Sequence, residues 1–357
     1  MPGTPTAKSV SPDSGLHWSE PGAWPAADGI HRIPLPLPMD GLRAVNVYVL
    51  ETEEGLTLVD GGWAIQEGRA ALESALAQLG HRLSDITRFL VTHVHRDHYT
   101  LAAVLRAEFG AHVSLGLGDK ASLDAIHSPE PTARDLNSVL LRAAGAPEIA
   151  EAWARFSAGS VPDLAQWSYP DTWLESDQTL AVGSRVLDAV HTPGHTQGHF
   201  VFADRAAGLL FAGDHVLPTI TPSIGFEAVV APQPLGDFLA SLAKVRAMPD
   251  LRLLPAHGPV AASTHARVDE LTAHHDRRLA LCLEVFGGEQ LTAYAVAHLL
   301  PWTRHELRLA DLDLFNTVLA TLETRAHLEL LVARDELSTE DSADGMLYRL
   351  TPRLPST

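Results

Sequence analysis

Short apolar runs alternate with longer amphipathic stretches through the first two thirds of the chain. Short apolar runs between turn residues predict strands, and apolar residues at three- and four-residue spacing predict helices. The predicted strands are His31–Leu37, Val45–Leu50, Leu56–Asp60, Phe89–Val91, Val113–Leu115, Arg185–His191, Phe200–Phe202, Leu209–Phe211 and Leu251–Leu254. The predicted helices are Ile65–Leu79, Leu101–Phe109 and Leu235–Val245. Strands and helices that alternate in this way predict layered α/β packing.

Three segments depart from this alternation and set the predicted domain boundaries. Residues 1–28, rich in Pro, Gly, Ser and Ala, predict a flexible N-terminal arm. Residues 118–175 have helical tendency and no strand signal, so they predict a helical insertion in a main domain at 29–264. Residues 265–357 predict three helices and a hairpin, which are the parts of a winged helix. The predicted elements there are helices Val268–Val285, Leu291–Leu299 and Leu312–Leu331, and a hairpin that pairs Leu328–Val332 with Met346–Leu350 around Ser338–Asp344.

The composition limits the classes of partner. The 357 residues carry 26 Lys and Arg against 44 Asp and Glu, a net charge of −18, which opposes binding to nucleic-acid phosphates. The one cysteine, Cys282, excludes an internal disulfide. The sequence has neither a signal-peptide core nor an apolar run of about 20 residues, so we expect a cytoplasmic protein that binds no membrane. Homo-oligomerisation stays open.

The densest cluster of reactive side chains among the 19 histidines and their neighbours is THVHRDH, residues 92–98. His93 and His95 follow an apolar strand at alternate positions, so both side chains can point the same way. Asp97 and His98 then enter the next helix, whose dipole favours the Asp97 carboxylate. Four ligand-type side chains in so short a segment predict a metal site.

Further ligand-type side chains follow four other predicted strands. They are Asp60 in LVDGG, three histidines in VHTPGHTQGH (His191, His195 and His199), Asp214 in FAGDH and His257 in LPAHG. Pro193 and two glycines exclude a helix over residues 190–199, so the equally spaced histidines of that loop do not share a helix face. Polar ligands at the ends of several strands predict one site at a rim of the sheet.

The motifs HVHRDH, HTPGHTQGH, AGDH and PAHG occur in this order over about residues 30–265 and resemble those of the metallo-β-lactamase superfamily, with metal motifs similar to glyoxalase II. The resemblance implies a four-layer αβ/βα sandwich that carries a helical insertion. The implied ligands of one metal ion are His93, His95 and His195, those of the second are Asp97, His98 and His257, and Asp214 bridges both.

The resemblance also assigns supporting residues. His191 and His199 would hydrogen-bond the loop or orient a ligand, and Asp60 would hold a ligand histidine in its tautomer unless it is only a turn residue at a strand end. Asp97 and Tyr99 are the candidate catalytic residues. The Tyr99 hydroxyl group would donate to substrate, or the ring would pack under the helix. Arg96 would bind an anionic substrate or face solvent.

Histidine nitrogens and carboxylates suit two Zn²⁺ ions, with iron or manganese as other occupants. Two cations lower the pKa of a shared water enough to give a bridging hydroxide at neutral pH. We therefore predict a dinuclear hydrolase of a small acyl ester, thioester or lactone. Its acyl pocket would be lined by Trp153, Trp167 and Trp173 of the insertion and by residues 216–222, or these tryptophans would only pack the insertion onto the sandwich.

Three other functions compete with this prediction. A nuclease of the same superfamily needs a basic channel, which the sequence does not show. A mononuclear iron sulfur dioxygenase needs only three ligands, so the second ligand set argues against it. A non-catalytic binding protein would bury these metal-ligand side chains, at a cost in free energy, without using them. The C-terminal part is similar to an appendage of nucleases and thioesterases, but its 9 Arg and no Lys against 15 Asp and Glu favour a structural or substrate-shaping role.

Overall fold

The structure, a computed structural model, describes residues 16–38, 41–130, 135–159, 161–303 and 305–352. Its strands are β1 Trp24–Ala27, β2 Ile30–Pro36, β3 Ala44–Thr52, β4 Gly55–Val59, β5 Ile86–Leu90, β6 His112–Gly116, β7 Thr172–Leu174, β8 Gln178–Val182, β9 Arg185–His191, β10 Phe200–Asp204, β11 Leu209–Gly213, β12 Arg252–Pro255, β13 Leu291–Thr292, β14 Leu337–Ser342 and β15 Gly345–Leu350. Its helices are α1 Gln66–Gln78, α2 Arg96–Phe109, α3 Lys120–His127, α4 Leu136–Ala143, α5 Pro147–Ser157, α6 Pro234–Arg246, α7 Thr264–Glu284, α8 Ala293–Leu299 and α9 Leu314–Ala333. Each strand and helix predicted for the main domain overlaps a strand or helix of the structure.

Two sheets packed face to face form the centre of the molecule. The larger has the strand order β1-β2-β3-β4-β5-β6-β7 and the smaller β12-β11-β10-β9-β8. In β3, Val47 and Val49 pack toward the outer helices, whereas Tyr48 and Leu50 pack between the two sheets. A strand covered on both faces needs such a continuous apolar run. This arrangement is the predicted αβ/βα sandwich.

Helices cover the outer face of each sheet. Residues of α1 and α2, such as Leu76 and Leu105, join the apolar core on the outer face of the larger sheet. Residues of α6 and α7, such as Phe238 and Leu271, join the core on the outer face of the smaller sheet. Within the described part of the chain, no helix is both long and apolar enough to span a membrane.

Short strands occur where the sequence predicted none. Strand β1 lies in the predicted flexible arm and pairs antiparallel with β2, so the arm prediction is wrong at Trp24–Ala27, and residues 1–15 lie outside the described residues. Strand β7 ends the predicted insertion and pairs parallel with β6, so that segment is not purely helical. Strand β8 was not predicted either. All three are edge strands of three to five residues, too short to show an apolar run.

The C-terminal part contains α7, α8, α9 and a small sheet of order β13-β15-β14. The predicted first hairpin strand, Leu328–Val332, is wrong because this apolar run continues helix α9 to Ala333. The actual hairpin pairs β14 with β15, and Leu337 stands opposite Leu350. Most of β14 comes from the polar stretch predicted as the turn. Polar side chains are tolerated there because β14 is an exposed edge strand. The winged-helix assignment stays a prediction.

The insertion packs onto the C-terminal part through Trp153. This side chain is 8% exposed and shares an apolar cluster with Leu141 of α4 and with Val318 and Leu322 of α9. Its ring centroid lies 6.1 Å from that of Phe315. Trp153 therefore joins two parts of the chain.

Candidate metal centre

The seven predicted ligands converge at one rim of the sandwich, where strands of both sheets end. Their positions are as follows: His93 and His95 after β5, Asp97 and His98 in the first turn of α2, His195 after β9, Asp214 after β11 and His257 after β12. Strands β11 and β12 are parallel, and β9 runs in the same direction because both β9 and β11 are antiparallel to β10. The carboxyl ends of all three strands therefore lie on the same side.

The first group consists of His93, His95 and His195. The Nε2 atoms of His93 and His195 each lie 3.0 Å from Nδ1 of His95. Nδ1 of His195 lies 2.8 Å from the carbonyl oxygen of Ser223 and donates to it, so Nε2 carries a lone pair. Nδ1 of His93 lies 3.0 Å from the Thr92 hydroxyl group, which itself donates to a carboxylate. Nδ1 of His93 therefore donates to this hydroxyl group, and Nε2 of His93 carries a lone pair. The nitrogen lone pairs of the first group thus converge as they do around a cation.

The second group consists of Asp97, His98 and His257. Asp97 Oδ2 lies 3.5 Å from His98 Nε2 and 3.3 Å from His257 Nε2. Nδ1 of His257 donates to the carbonyl oxygen of Ala44 at 2.8 Å, so its Nε2 is the free nitrogen. Ligands of a tetrahedral zinc ion with bonds of 2.0–2.1 Å lie about 3.3 Å apart. The second group therefore also has the spacing of metal ligands.

Asp214 lies between the two groups. Its Oδ2 is 3.5 Å from His195 Nε2 in the first group. Its Oδ1 is 3.4 Å from His257 Nε2 and 3.7 Å from His98 Nε2 in the second. One carboxylate thus presents a different oxygen to each group, which is what a bridging ligand requires.

The charges and hydrogen bonds of the rim fit cations. Among the described residues, the buried Nε2 atoms of His98 and His257 and Oδ1 of Asp214 have no hydrogen-bond partner. Burial lowers the pKa of His98, but the carboxylates of Asp97, Asp60 and Asp214 outweigh it and raise that pKa to about 10. The negative potential that favours a proton on His98 equally favours a metal ion. The residues present therefore fit two divalent cations.

Asp60 and His199 contact the candidate ligands from outside the two groups. Asp60 Oδ2 lies 2.9 Å from Nδ1 of His98, and Oδ1 accepts the backbone N–H of Thr92 at 2.8 Å. Nε2 of His199 accepts the backbone N–H of Asp214 at 3.2 Å. Both side chains are buried and outside the two groups.

His191 lies further from the centre. Its Nε2 donates to the carbonyl oxygen of Gln197 at 2.9 Å, and its ring is half-buried against Phe200. The bond closes the loop of residues 190–199 on itself. Of the three evenly spaced histidines, His195 is the one whose ring nitrogen lies beside the ligand atoms of His95 and Asp214. The His199 ring stacks on that of His93 with centroids 5.1 Å apart.

The substrate-donor role predicted for Tyr99 is not supported. Tyr99 is completely buried, its hydroxyl group donates to the carbonyl oxygen of Ser168, and its ring stacks on Trp167 with centroids 6.5 Å apart. The Tyr99 ring therefore packs in the protein interior, against residues of the predicted insertion. Arg96 is exposed, with its guanidinium group 4.3 Å from the ring centroid of Trp63.

Sequence reasoning missed Asp119, a buried carboxylate that joins two ligand loops. Its Oδ2 accepts the N–H of Val94 at 2.8 Å, and its Oδ1 accepts the N–H of Gly198 at 2.9 Å. Burial raises the pKa of Asp119 to about 7 despite these bonds. The two loops approach so closely that a Cβ on Gly116 would lie 1.8 Å from the Gly198 carbonyl oxygen. Asp119 follows β6 as Asp214 follows β11, so the same strand-end signal marks it.

We expect Asp60→Asn to weaken metal binding and turnover by about 10- to 100-fold, the usual loss for a residue that orients a metal ligand. The amide would place an N–H group opposite Nδ1 of His98, which forces the proton onto Nε2 and blocks the ligand nitrogen. Asn tolerates the left-handed backbone of Asp60 (φ 63°), so folding should be retained. Zinc titration of the metal-free variant, with circular dichroism as the folding control, tests this. An unchanged affinity would show that Asp60 is only a turn residue.

The family model of the metallo-beta-lactamase superfamily matches residues 40–257, more than half of the chain and all seven candidate ligands. The chain belongs to this superfamily. It is accordingly a metal-dependent hydrolase, and its relatives bear hydrolase names. It is 24% identical over 335 residues to the probable metallo-hydrolase YqjP of Bacillus subtilis (strain 168), an alignment that covers 90% of this chain and 97% of that protein.

Other relatives of this superfamily member extend the comparison. The chain is 26% identical over 242 residues to the atrochrysone carboxyl ACP thioesterase AgnL7 of Paecilomyces divaricatus, covering 68% of this chain and 59% of that protein. A metallo-beta-lactamase family protein from Thermus thermophilus has a TM-score of 0.72 at 28% identity and covers 91% of this chain and 100% of its own. A beta-lactamase domain protein from Burkholderia ambifaria has a TM-score of 0.74 at 26% identity, covering 95% and 96%. The structural likeness thus extends beyond residue 257 into the C-terminal part.

Proposed function

We propose that the protein is a dinuclear hydrolase that cleaves a small acyl ester, thioester or lactone. The observation that carries the dinuclear part is the position of Asp214, whose two carboxylate oxygens face two different ligand groups at 3.4–3.7 Å. A mononuclear site needs neither the second group nor a carboxylate between the two.

The protein supplies ligands and orientation for this chemistry. Two bound Zn²⁺ ions, or iron or manganese, would supply a water of lowered pKa and stabilise negative charge on the reacting oxygen of the substrate. Asp60 and Thr92 fix the tautomers of His98 and His93. Asp97, with a side chain 15% exposed, is the ligand of the second group most open to solvent and to substrate. No separate nucleophilic side chain is required.

The proposed acyl substrate rests on three observations. The net charge of −18 opposes polyanions. The relative AgnL7 is named a thioesterase. The loop after Asp214, residues 216–224, is largely apolar and carries Ser223, whose carbonyl oxygen holds His195 at the rim. The tryptophans of the insertion give no such support, since Trp153 packs against α9, and Trp167 and Trp173 pack against the core on the outer face of the larger sheet. The cytoplasmic location and homo-oligomerisation stay predictions.

Turnover of a substrate panel tests the proposal. We expect hydrolysis of short and medium acyl thioesters, aryl esters or lactones that is lost after chelation and restored by Zn²⁺. Single-stranded RNA and DNA should stay intact under the same conditions. Metal-dependent cleavage of nucleic acid without acyl turnover would instead establish the nuclease alternative. Protein loaded with iron under anaerobic conditions and assayed for oxygen uptake with a sulfur substrate tests the dioxygenase alternative.

A further inference from the structure

A separate group of ligand-type side chains lies between helices α7 and α9, outside the candidate metal centre. His274 and His275 come from α7, and Glu323 comes from α9. One nitrogen or carboxylate oxygen from each of the three lies within 4.8 Å of those of the other two. His275 is fully buried, whereas His274 and Glu323 are partly exposed, so the group can be reached from solvent.

The hydrogen bonds around His275 fix which of its nitrogens is free. Nδ1 of His327 lies 2.8 Å from the backbone carbonyl oxygen of Glu323 and must donate to it, so Nε2 of His327 is an acceptor. Nδ1 of His275 lies 3.2 Å from that Nε2 and therefore carries the donated proton. Nε2 of His275 therefore carries no proton and offers a lone pair. It is buried and has no hydrogen-bond partner among the described residues.

This chain of imidazoles has the form found behind metal-bound histidines. A ligand histidine usually donates its second ring N–H to an acceptor, which fixes the tautomer and aims the other nitrogen at the metal. Burial, with the neighbouring His327, also lowers the pKa of His275 to about 2, so its ring stays neutral. A buried lone pair without a donor costs free energy unless some group occupies it.

The guanidinium group of the neighbouring Arg278 has partners elsewhere. Arg278 lies one helical turn after His274, but its guanidinium group donates to the carbonyl oxygen of Pro301 at 2.7 Å and lies 4.4 Å from the ring centroid of Trp302. The Glu323 carboxylate is thus available to a cation. Burial raises the pKa of Glu323 although the charge of Arg278 lowers it, and a bound cation would oppose the rise further.

We propose that His274, His275 and Glu323 form a zinc site, separate from the candidate metal centre, that ties helix α7 to helix α9. Two imidazole nitrogens and one carboxylate oxygen are a ligand set that Zn²⁺ accepts, with one position left for water. The ion would crosslink helix α7, which leaves the sandwich, to the 20-residue helix α9 of the C-terminal part. The site is independent of the reaction proposed above.

Metal content by mass spectrometry tests the site. Metal-free wild-type protein and Glu323→Gln are equilibrated with Zn²⁺ and freed of excess ion by gel filtration. We expect the variant to hold one ion fewer per chain than the wild type, whatever the occupancy of the other centre. His275→Gln should lose the same ion. The control Glu284→Gln removes an exposed carboxylate of helix α7, the helix of His274 and His275, and should retain the wild-type zinc content.

A second background separates the two sites. In Asp214→Ala, which disables the candidate metal centre, one zinc ion per chain should remain and should raise the melting temperature. Adding Glu323→Gln should remove both the ion and the rise. Equal zinc content in wild type and in a folded Glu323→Gln, or no zinc-dependent rise in Asp214→Ala, would overturn the proposal. The glutamine preserves the shape of the side chain, so the comparison does not depend on a disruptive substitution.

Discussion

Replacing Asp214 by alanine should empty the candidate metal centre and lower turnover by at least about 10²- to 10³-fold, the loss expected when one electrostatic stabiliser is removed from an active site. Its Oδ2 faces His195 at 3.5 Å and its Oδ1 faces His257 at 3.4 Å. Each group therefore loses a ligand at once, and Asp97 is left as the one carboxylate among the remaining candidate ligands to balance two cations. Metal analysis and the rate of acyl turnover measure the two effects.

A matched control separates this effect from general loss of an acidic residue. Asp188 lies on β9 of the same sheet, is partly exposed and pairs with Arg205 at the surface. Such surface pairs contribute about 0–1 kcal/mol to stability. Asp188→Ala should therefore keep its metal and its activity. If Asp214→Ala retained two ions in this centre, the bridging assignment would be wrong.

The ligand positions could be predicted because each follows an apolar strand. A strand covered on both faces ends where the apolar run ends, so Asp214 and His257 mark the rim directly in the sequence. Asp119 obeys the same rule after β6. The sequence does not single out Asp119, because residues 118–175 predict an insertion and the partners of Asp119, Val94 and Gly198, are remote in the chain.

Roles that depend on distant packing could not be predicted. Whether Tyr99 faces substrate or the protein interior depends on Ser168, 69 residues away, which accepts its hydroxyl group. The choice between pocket and packing for Trp153 depends likewise on α9. Local sequence patterns carry no information about such contacts.

Short edge strands and the C-terminal hairpin show a related limit. Strand β7 has only three residues, too few for a periodic signal. The apolar run Leu328–Val332 fits a strand or a buried helix equally well. It is helical in the structure because it continues the preceding turns of α9. Strand β14 is polar and has no apolar pattern of its own, so its pairing with β15 is what defines it as a strand.

The evenly spaced histidines of residues 190–199 provide the sharpest test of the ligand assignment, because they differ in contacts and not in residue type. His195 offers Nε2 to the first group and lies within 3.5 Å of Asp214. His199 accepts the backbone N–H of Asp214 and stacks on His93, and His191 closes its own loop. The three alanine variants should therefore give three different outcomes.

His195→Ala should abolish detectable turnover and strip the ion of the first group, since only two imidazoles and the shared Asp214 carboxylate would remain to hold it. His199→Ala should cost about 10- to 100-fold in turnover or metal affinity, the range for groups that orient ligands. His191→Ala should stay within about 10-fold of wild type, because its lost bond to Gln197 lies away from the ligands. Zinc titration and initial rates on the same preparations measure both quantities. Metal loss in His191→Ala as complete as in His195→Ala would refute the assignment.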